Sequence, residues 1–198
     1  MPARIIPKIG LDLDGVIIDH TRNKILLAKK FGFSLKPTET PFPRMKRRIP
    51  PAIYREIQRI LYGELSLSAP PVERALEGLR TLGKNYDLFI VSRRSDKEVA
   101  LAWIKKELDG LIKEVNIHFV IKDREKALVC KELRIVVFLD DKVESLWELK
   151  TVKERFWFDH FDVSREYEDL KGVKVVPSWR DFVEQMVGLP RIELGSTA

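Results

Sequence analysis

The chain is poor in several residue types, and each shortage removes a possibility. It has one cysteine and three histidines in 198 residues. The lone Cys130 excludes an internal disulfide and fits a reducing, cytoplasmic setting. Within Ala127-Leu128-Val129-Cys130 it reads as a packing residue on a helix. His118 and His160 show no metal-ligand spacing. No apolar run approaches the roughly 18–20 residues that cross a bilayer. The opening Met-Pro-Ala-Arg-Ile-Ile-Pro lacks the apolar stretch of a signal peptide. The expectation is therefore a protein with no membrane partner. There is no internal repeat. The net charge of +6 favours anionic partners but is too small to imply nucleic acid.

What is present suits a soluble globular chain. It is 44% apolar and 33% charged, and its length allows one good core with a small insertion. The charged share exceeds the usual quarter, as in ion-paired thermophile proteins.

Apolar patterning predicts a strand over about 8–13 and a helix over about 20–32, with Asp19 or Thr21 as its N-cap. Residues 34–50 are rich in proline and basic residues. A helix over about 51–62 follows, with Ile53, Ile57, Ile60 and Leu61 on one face. Seven of the eleven prolines lie between Pro37 and Pro71. That shift marks residues 20–70 as an insertion. From Pro71 helices and strands alternate, with helices over about 71–83, 95–108 and 124–133. Strands are expected over about 86–92, 116–121, 135–140, 155–158 and 173–176. A helix carries Val143, Leu146 and Trp147. The last helix starts at Ser178, which with Asp181 resembles a capping box. Residues 189–198 read as a frayed tail. The alternation implies an α/β fold, a doubly wound parallel sheet covered on both faces. Its core is expected to comprise residues 1–19 and 71–188.

Acidic pairs end two of the apolar runs. Asp12 and Asp14 close Ile9-Gly10-Leu11-Asp12-Leu13-Asp14-Gly15-Val16, and residues i and i+2 of a strand share a side. Asp140-Asp141 follows Ile135-Val136-Val137-Phe138-Leu139. Ligands of open α/β sheets bind at the carboxyl ends of strands, so the two pairs suggest a divalent-metal site. Ser92 and Lys126 also fall at or just beyond strand ends.

Together these residues resemble the haloacid dehalogenase superfamily of phosphatases and phosphotransferases. Asp12-Leu13-Asp14-Gly15-Val16 is similar to its first motif, and Ser92 after Leu88-Phe89-Ile90-Val91 to its second. Lys126 matches the third, and Asp140-Asp141 the fourth. Lys122 is the other lysine available. Lys126 is preferred because it opens the helix that leads to the fourth-motif strand. The resemblance implies a Rossmann-like core with a helical cap at residues 20–70. It implies Asp12 as nucleophile and Asp14 as general acid and then base. Ser92 and Lys126 would hold the phosphoryl oxygens. Gly15 would let backbone N–H groups approach phosphate. Mg2+ would be held by Asp12, the Asp14 carbonyl and Asp140, with Asp141 beside them. Asp14 is missing from family members that cleave carbon–halogen bonds, so its presence favours phosphate esters.

Arg93 and Arg94 follow Ser92, and one of them is expected to face the phosphate. Arg44, Lys46, Arg47 and Arg48 put four cations in five residues. They read either as a clamp, Arg47 foremost, on a second anionic part of the substrate or as a solvated basic loop. The Asp19-His20 pair reads as helix capping. Phe156-Trp157-Phe158-Asp159 and Val175-Val176-Pro177-Ser178-Trp179 resemble the deoxyribonucleotidase-like branch of the superfamily, which would make the small phosphorylated substrate a nucleotide. Trp179 also fits a core anchor. Two other readings suit the same residues: a phosphatase acting on nucleic-acid ends, and a non-catalytic phospholigand-binding protein.

Overall fold

The computed structural model describes residues 6–188; the tail expected at 189–198 lies outside them. The strands are β1 (Lys8–Leu11), β2 (Asp87–Arg93), β3 (Ile117–Val120), β4 (Val137–Asp140), β5 (Glu154–Phe158) and β6 (Lys174–Val176). They form one six-stranded sheet, every pairing parallel, in the order β3-β2-β1-β4-β5-β6. Helices α1 (Thr21–Lys30), α2 (Phe42–Arg48) and α3 (Pro51–Leu61) lie between β1 and β2 in the chain. The remaining helices are α4 (Ala75–Leu82), α5 (Lys97–Leu108), α6 (Asp123–Glu132), α7 (Val143–Glu148) and α8 (Trp179–Gly188).

Alternation along the strands builds two cores. Ile9, Leu11, Leu88, Ile90, Val137 and Leu139 pack on one face against α4, α5 and α8 residues. Phe89, Val91 and Phe138 pack on the other, against Cys130 and Leu146. Cys130 is buried, and burial pushes its thiol up to about 12, so it packs as an inert apolar group. A third cluster, Leu27, Leu35, Met45, Ile49, Ile57 and Leu61 among its members, lies wholly within α1–α3 and their connections. The insertion thus has its own apolar centre.

Two expected boundaries move. The helix foreseen from residue 71 begins at Ala75 because Pro71 bridges to Ile18 and the Val72 N–H donates to the Ile17 carbonyl. These bonds hold the chain extended as it returns from the insertion. The Asp19 carboxylate accepts from the Thr21 N–H at 2.8 Å, one position before the cap of α1. Ser178 Oγ accepts the Asp181 N–H ahead of α8, which is the N-cap half of the expected box, while the Asp181 carboxylate accepts from the Ser178 hydroxyl instead of its backbone N–H.

The sheet order reverses at β1. The chain runs outward through β2 and β3 and returns to β4 on the opposite flank of β1. The crevice beyond the carboxyl ends of β1 and β4 is therefore the switch point where such sheets bind ligands.

Candidate active site

Asp12 follows β1 and Asp140 ends β4, side by side, since Leu11 pairs with Leu139 and the Asp12 N–H donates to the Leu139 carbonyl. Both carboxylates point away from the Leu11–Leu139 face. Lys126, near the start of α6, reaches between them. Its Nζ lies 2.8 Å from Asp12 Oδ1 and 2.7 Å from Asp140 Oδ2. The other oxygen, Asp140 Oδ1, accepts the Lys142 N–H at 2.9 Å. Lys122 is exposed and does not line the cavity, which is the physical distinction between the two lysines.

Asp12, Asp140 and Asp141 each offer an oxygen within 4.8 Å of the others. Burial pushes Asp12 up to about 6, with Lys126 opposing that rise and Asp140 adding to it. Loss of water and the charges of Asp140 and Asp12 push Asp141 up to about 8. Asp141 remains exposed on the cleft wall, so solvent screens part of that rise. Burial works against the Lys126 ammonium, but Asp12 and Asp140 outweigh it and hold the proton on firmly. Three carboxylates facing one ammonium leave a surplus of negative charge, which a proton or a further cation must balance. Hard oxygen donors gathered this closely fit Mg2+. The Asp14 side chain is not in this cluster.

Gly15 permits the close approach. It has φ +87°, and a Cβ there would collide with the Asp141 carboxylate. Trp179 supports the same turn from beneath. It is fully buried, and its Nε1 donates to the Val16 carbonyl at 2.7 Å. It is the core anchor of the first acidic turn.

Asp14 is held from the other side. One oxygen, Oδ1, accepts from His20 Nε2 at 2.6 Å and from Arg94 Nη1 at 2.8 Å. Burial alone would raise its pKa, but His20 and Arg94 outweigh burial and set it below the ordinary carboxylate value. His20 thus belongs to the site instead of capping α1, where it makes no side-chain bond.

These groups surround a cavity of about 90 Å³ lined by Asp12, Asp14, Lys126, Asp140 and Asp141 together with Arg93. The insertion closes it with Lys24, Phe42, Tyr54, Gln58 and Tyr62. Arg93 lines it and lies 3.4 Å from Asp123.

Three expected members fall elsewhere. Ser92 is buried and forms no wall of the cavity. It shares strand parity with Leu88 and Ile90, the opposite face from Asp12 and Asp140. Of the two arginines after Ser92, Arg93 lines the cavity, while Arg94 does not and bonds to Asp14. Arg47 donates to Glu166 at 2.5 Å and does not line the cavity. Arg44 joins the same carboxylate, Arg48 pairs with Glu39, and Lys46 lies over the Phe42 ring. The basic run is engaged largely by the protein itself. Ser145 was missed from sequence. It is buried at the cavity wall with its Oγ unpartnered among the described residues.

No family model matches the sequence, and no curated protein does. Solved structures do match in fold. A haloacid dehalogenase-like hydrolase from Streptococcus pneumoniae superposes with a TM-score of 0.66 at 13% identity, over 91% of this chain and 98% of its own. A family hydrolase of the same type from Deinococcus radiodurans, with bound phosphate and sodium, gives 0.62 at 15% identity over 92% and 95%. A predicted phosphoglycolate phosphatase from Haemophilus somnus gives 0.62 at 14% identity over 91% and 98%. At such identities the likeness establishes the fold, that of the haloacid dehalogenase-like hydrolases, across nearly the whole chain.

Proposed function

We propose that the protein is a Mg2+-dependent phosphomonoester hydrolase of the haloacid dehalogenase superfamily, acting on a small phosphorylated metabolite with a nucleotide among the candidates. The observation that carries this reading is the shared cavity of Asp12, Lys126 and Asp14 at the switch point of the sheet. Residues 20–70 act as the cap, which excludes water and selects the substrate.

In the first step an Asp12 oxygen attacks phosphorus and the bond to the leaving oxygen breaks, while Asp14 gives that oxygen a proton. His20 and Arg94 hold Asp14 ionised in the free protein, so it must first take up that proton from solvent. In the second, Asp14 takes a proton from water, the water oxygen attacks phosphorus, and the bond to Asp12 breaks. Lys126 offsets charge on the phosphoryl oxygens throughout. Asp12, Asp140, Asp141 and the Asp14 carbonyl would hold Mg2+, which neutralises the carboxylates and draws in the phosphate dianion.

Phe42, Tyr54 and Tyr62 line the insertion side of the cavity, an aromatic lining that suits a leaving group with a planar base, such as a nucleoside. The nucleic-acid-end reading loses support, because Arg44 and Arg47 are occupied by Glu166.

The test is hydrolysis of an aryl phosphate, with and without Mg2+, followed by a broad panel of phosphate esters. Turnover should need Mg2+ and vanish in Asp12→Asn. Absence of any turnover above that variant across the panel would overturn the proposal and leave phospholigand binding as the reading.

A further inference from the structure

Asp14 uses its two oxygens differently. Oδ1 takes both hydrogen bonds, from His20 and Arg94. Oδ2 receives none among the described residues, and Asp14 lines the cavity. A carboxylate held by one oxygen has its rotation fixed and presents the other in a set direction.

Arg94 is itself anchored outside the sheet. Its Nη2 donates to Ser66 Oγ at 2.7 Å and to the Tyr62 carbonyl at 3.0 Å. Its guanidinium lies 5.5 Å from the Tyr62 ring centroid. His20 meets the same ring edge-on at 5.7 Å. Tyr62 ends α3 and Ser66 follows it, so both belong to the insertion. Arg94 is 2% exposed, which makes its contacts a fixed fork rather than a surface pairing. One buried guanidinium therefore joins the insertion's exit to the carboxylate beside the nucleophile.

We propose that Arg94 is a positioning residue that aims Asp14 Oδ2 at the leaving oxygen only while Tyr62 and Ser66 are seated, so that placement of the cap's exit segment governs the acid step. This rests on the acid role given to Asp14 above. Arg94 does not touch substrate. Its effect passes through Asp14, with His20 as a second hold on the same oxygen.

Acid assistance matters most when the leaving oxygen is a poor leaving group. The readout is therefore the contrast between an alkyl phosphate and a dinitrophenyl phosphate. Ser66→Ala removes the insertion's side-chain hold and leaves Asp14 and Arg94 in place. It should lower kcat on the alkyl ester by about tenfold and on the activated ester by less than about twofold. Arg94→Gln should widen the contrast, and Arg94→Lys should restore part of it. Equal losses on both esters, or none on either, would overturn the positioning role.

A second measurement needs no turnover. Ser66→Ala and Asp14→Asn, combined in a thermal or urea unfolding cycle, should couple by about fivefold or more in the unfolding equilibrium constant, because they share Arg94. Additivity within about twofold would overturn the link. An inactive wild-type protein would instead overturn the phosphatase reading, and the cycle would still decide whether the link exists.

Discussion

Asp12 and Asp14 stand two residues apart and are held by different parts of the molecule. Asp12 belongs to the sheet: its backbone bonds to β4, and its carboxylate to Lys126 on α6. Asp14 belongs to the boundary between sheet and insertion: its carboxylate bonds to His20 before α1 and to Arg94, which is anchored at Ser66. A sheet centre repeats the same geometry whenever the strands pair. A boundary centre depends on how two packed bodies meet. The Asp12 side is thus built for constancy and the Asp14 side for dependence on how the insertion is seated.

The comparison breaks most severely at Lys126. Lys126→Met keeps the volume but leaves Asp12 and Asp140 buried beside each other with no cation. Removing one partner from a buried ion pair costs about 3–5 kcal/mol. Hydrolysis should fall by at least about a hundredfold, because no ammonium then offsets phosphoryl charge. Urea unfolding and aryl phosphate turnover measure the two losses. A variant as stable as the parent would mean that the carboxylates relax apart, and that the sheet does not fix them.

A second, smaller effect sharpens the same contrast through pH. Asp12 and Asp141 are raised in the folded protein, to about 6 and about 8. A carboxyl raised by folding binds its proton more tightly in the native state than in the unfolded one. Its contribution to stability is present below the unfolded value and is lost as pH rises through the folded value. Metal-free protein should therefore lose Tm as pH rises from about 4 through the Asp12 value of about 6, with a further, solvent-screened loss toward the Asp141 value, and Mg2+ should abolish most of that loss. Asp14 has the opposite sign: its pKa is lowered, so its contribution is lost only as pH falls below the ordinary carboxylate range. A metal-free Tm that climbs from pH 5 to 8.5 would contradict the charge surplus at the sheet centre.

The same division explains which parts were legible in the sequence. The acid pairs follow apolar runs, and strand period places them without knowledge of distant contacts. Lys126 was reachable because its helix, α6, leads into β4. The placement of Ser92 was not legible because its face depends on register between β1 and β2, which local patterning does not supply. Residues 92 and 12 differ in parity once Leu11 pairs with Ile90. The partners of Arg94 were not legible because they lie 28, 32 and 80 positions away. His20 was closer, six positions from Asp14. Its signal was Gly15, whose left-handed turn allows Asp14 to bridge to Ile18 and brings His20 back onto the carboxylate. The insertion was visible from its prolines, but the destinations of its arginines were not.

Those arginines give the smallest effect, and it bears on how the insertion is fastened away from Arg94. Arg44 and Arg47 both lie 2.5 Å from Glu166, so a count of ion pairs ranks them equally. Their surroundings do not. The Arg44 side chain is 21% exposed and also donates to the carbonyls of Thr38, Phe161 and Asp162, whereas that of Arg47 is 63% exposed. Arg44→Ala strips donors from three backbone carbonyls and should cost about 1–2 kcal/mol. Arg47→Ala removes a screened surface pair and should stay within about 0.5 kcal/mol. Urea unfolding resolves the difference. Equal losses would show that Glu166 alone fastens this side. A clear excess for Arg44 would show that its planar fork, gripping loop carbonyls from both bodies, does the fastening, much as Arg94 does beside Asp14.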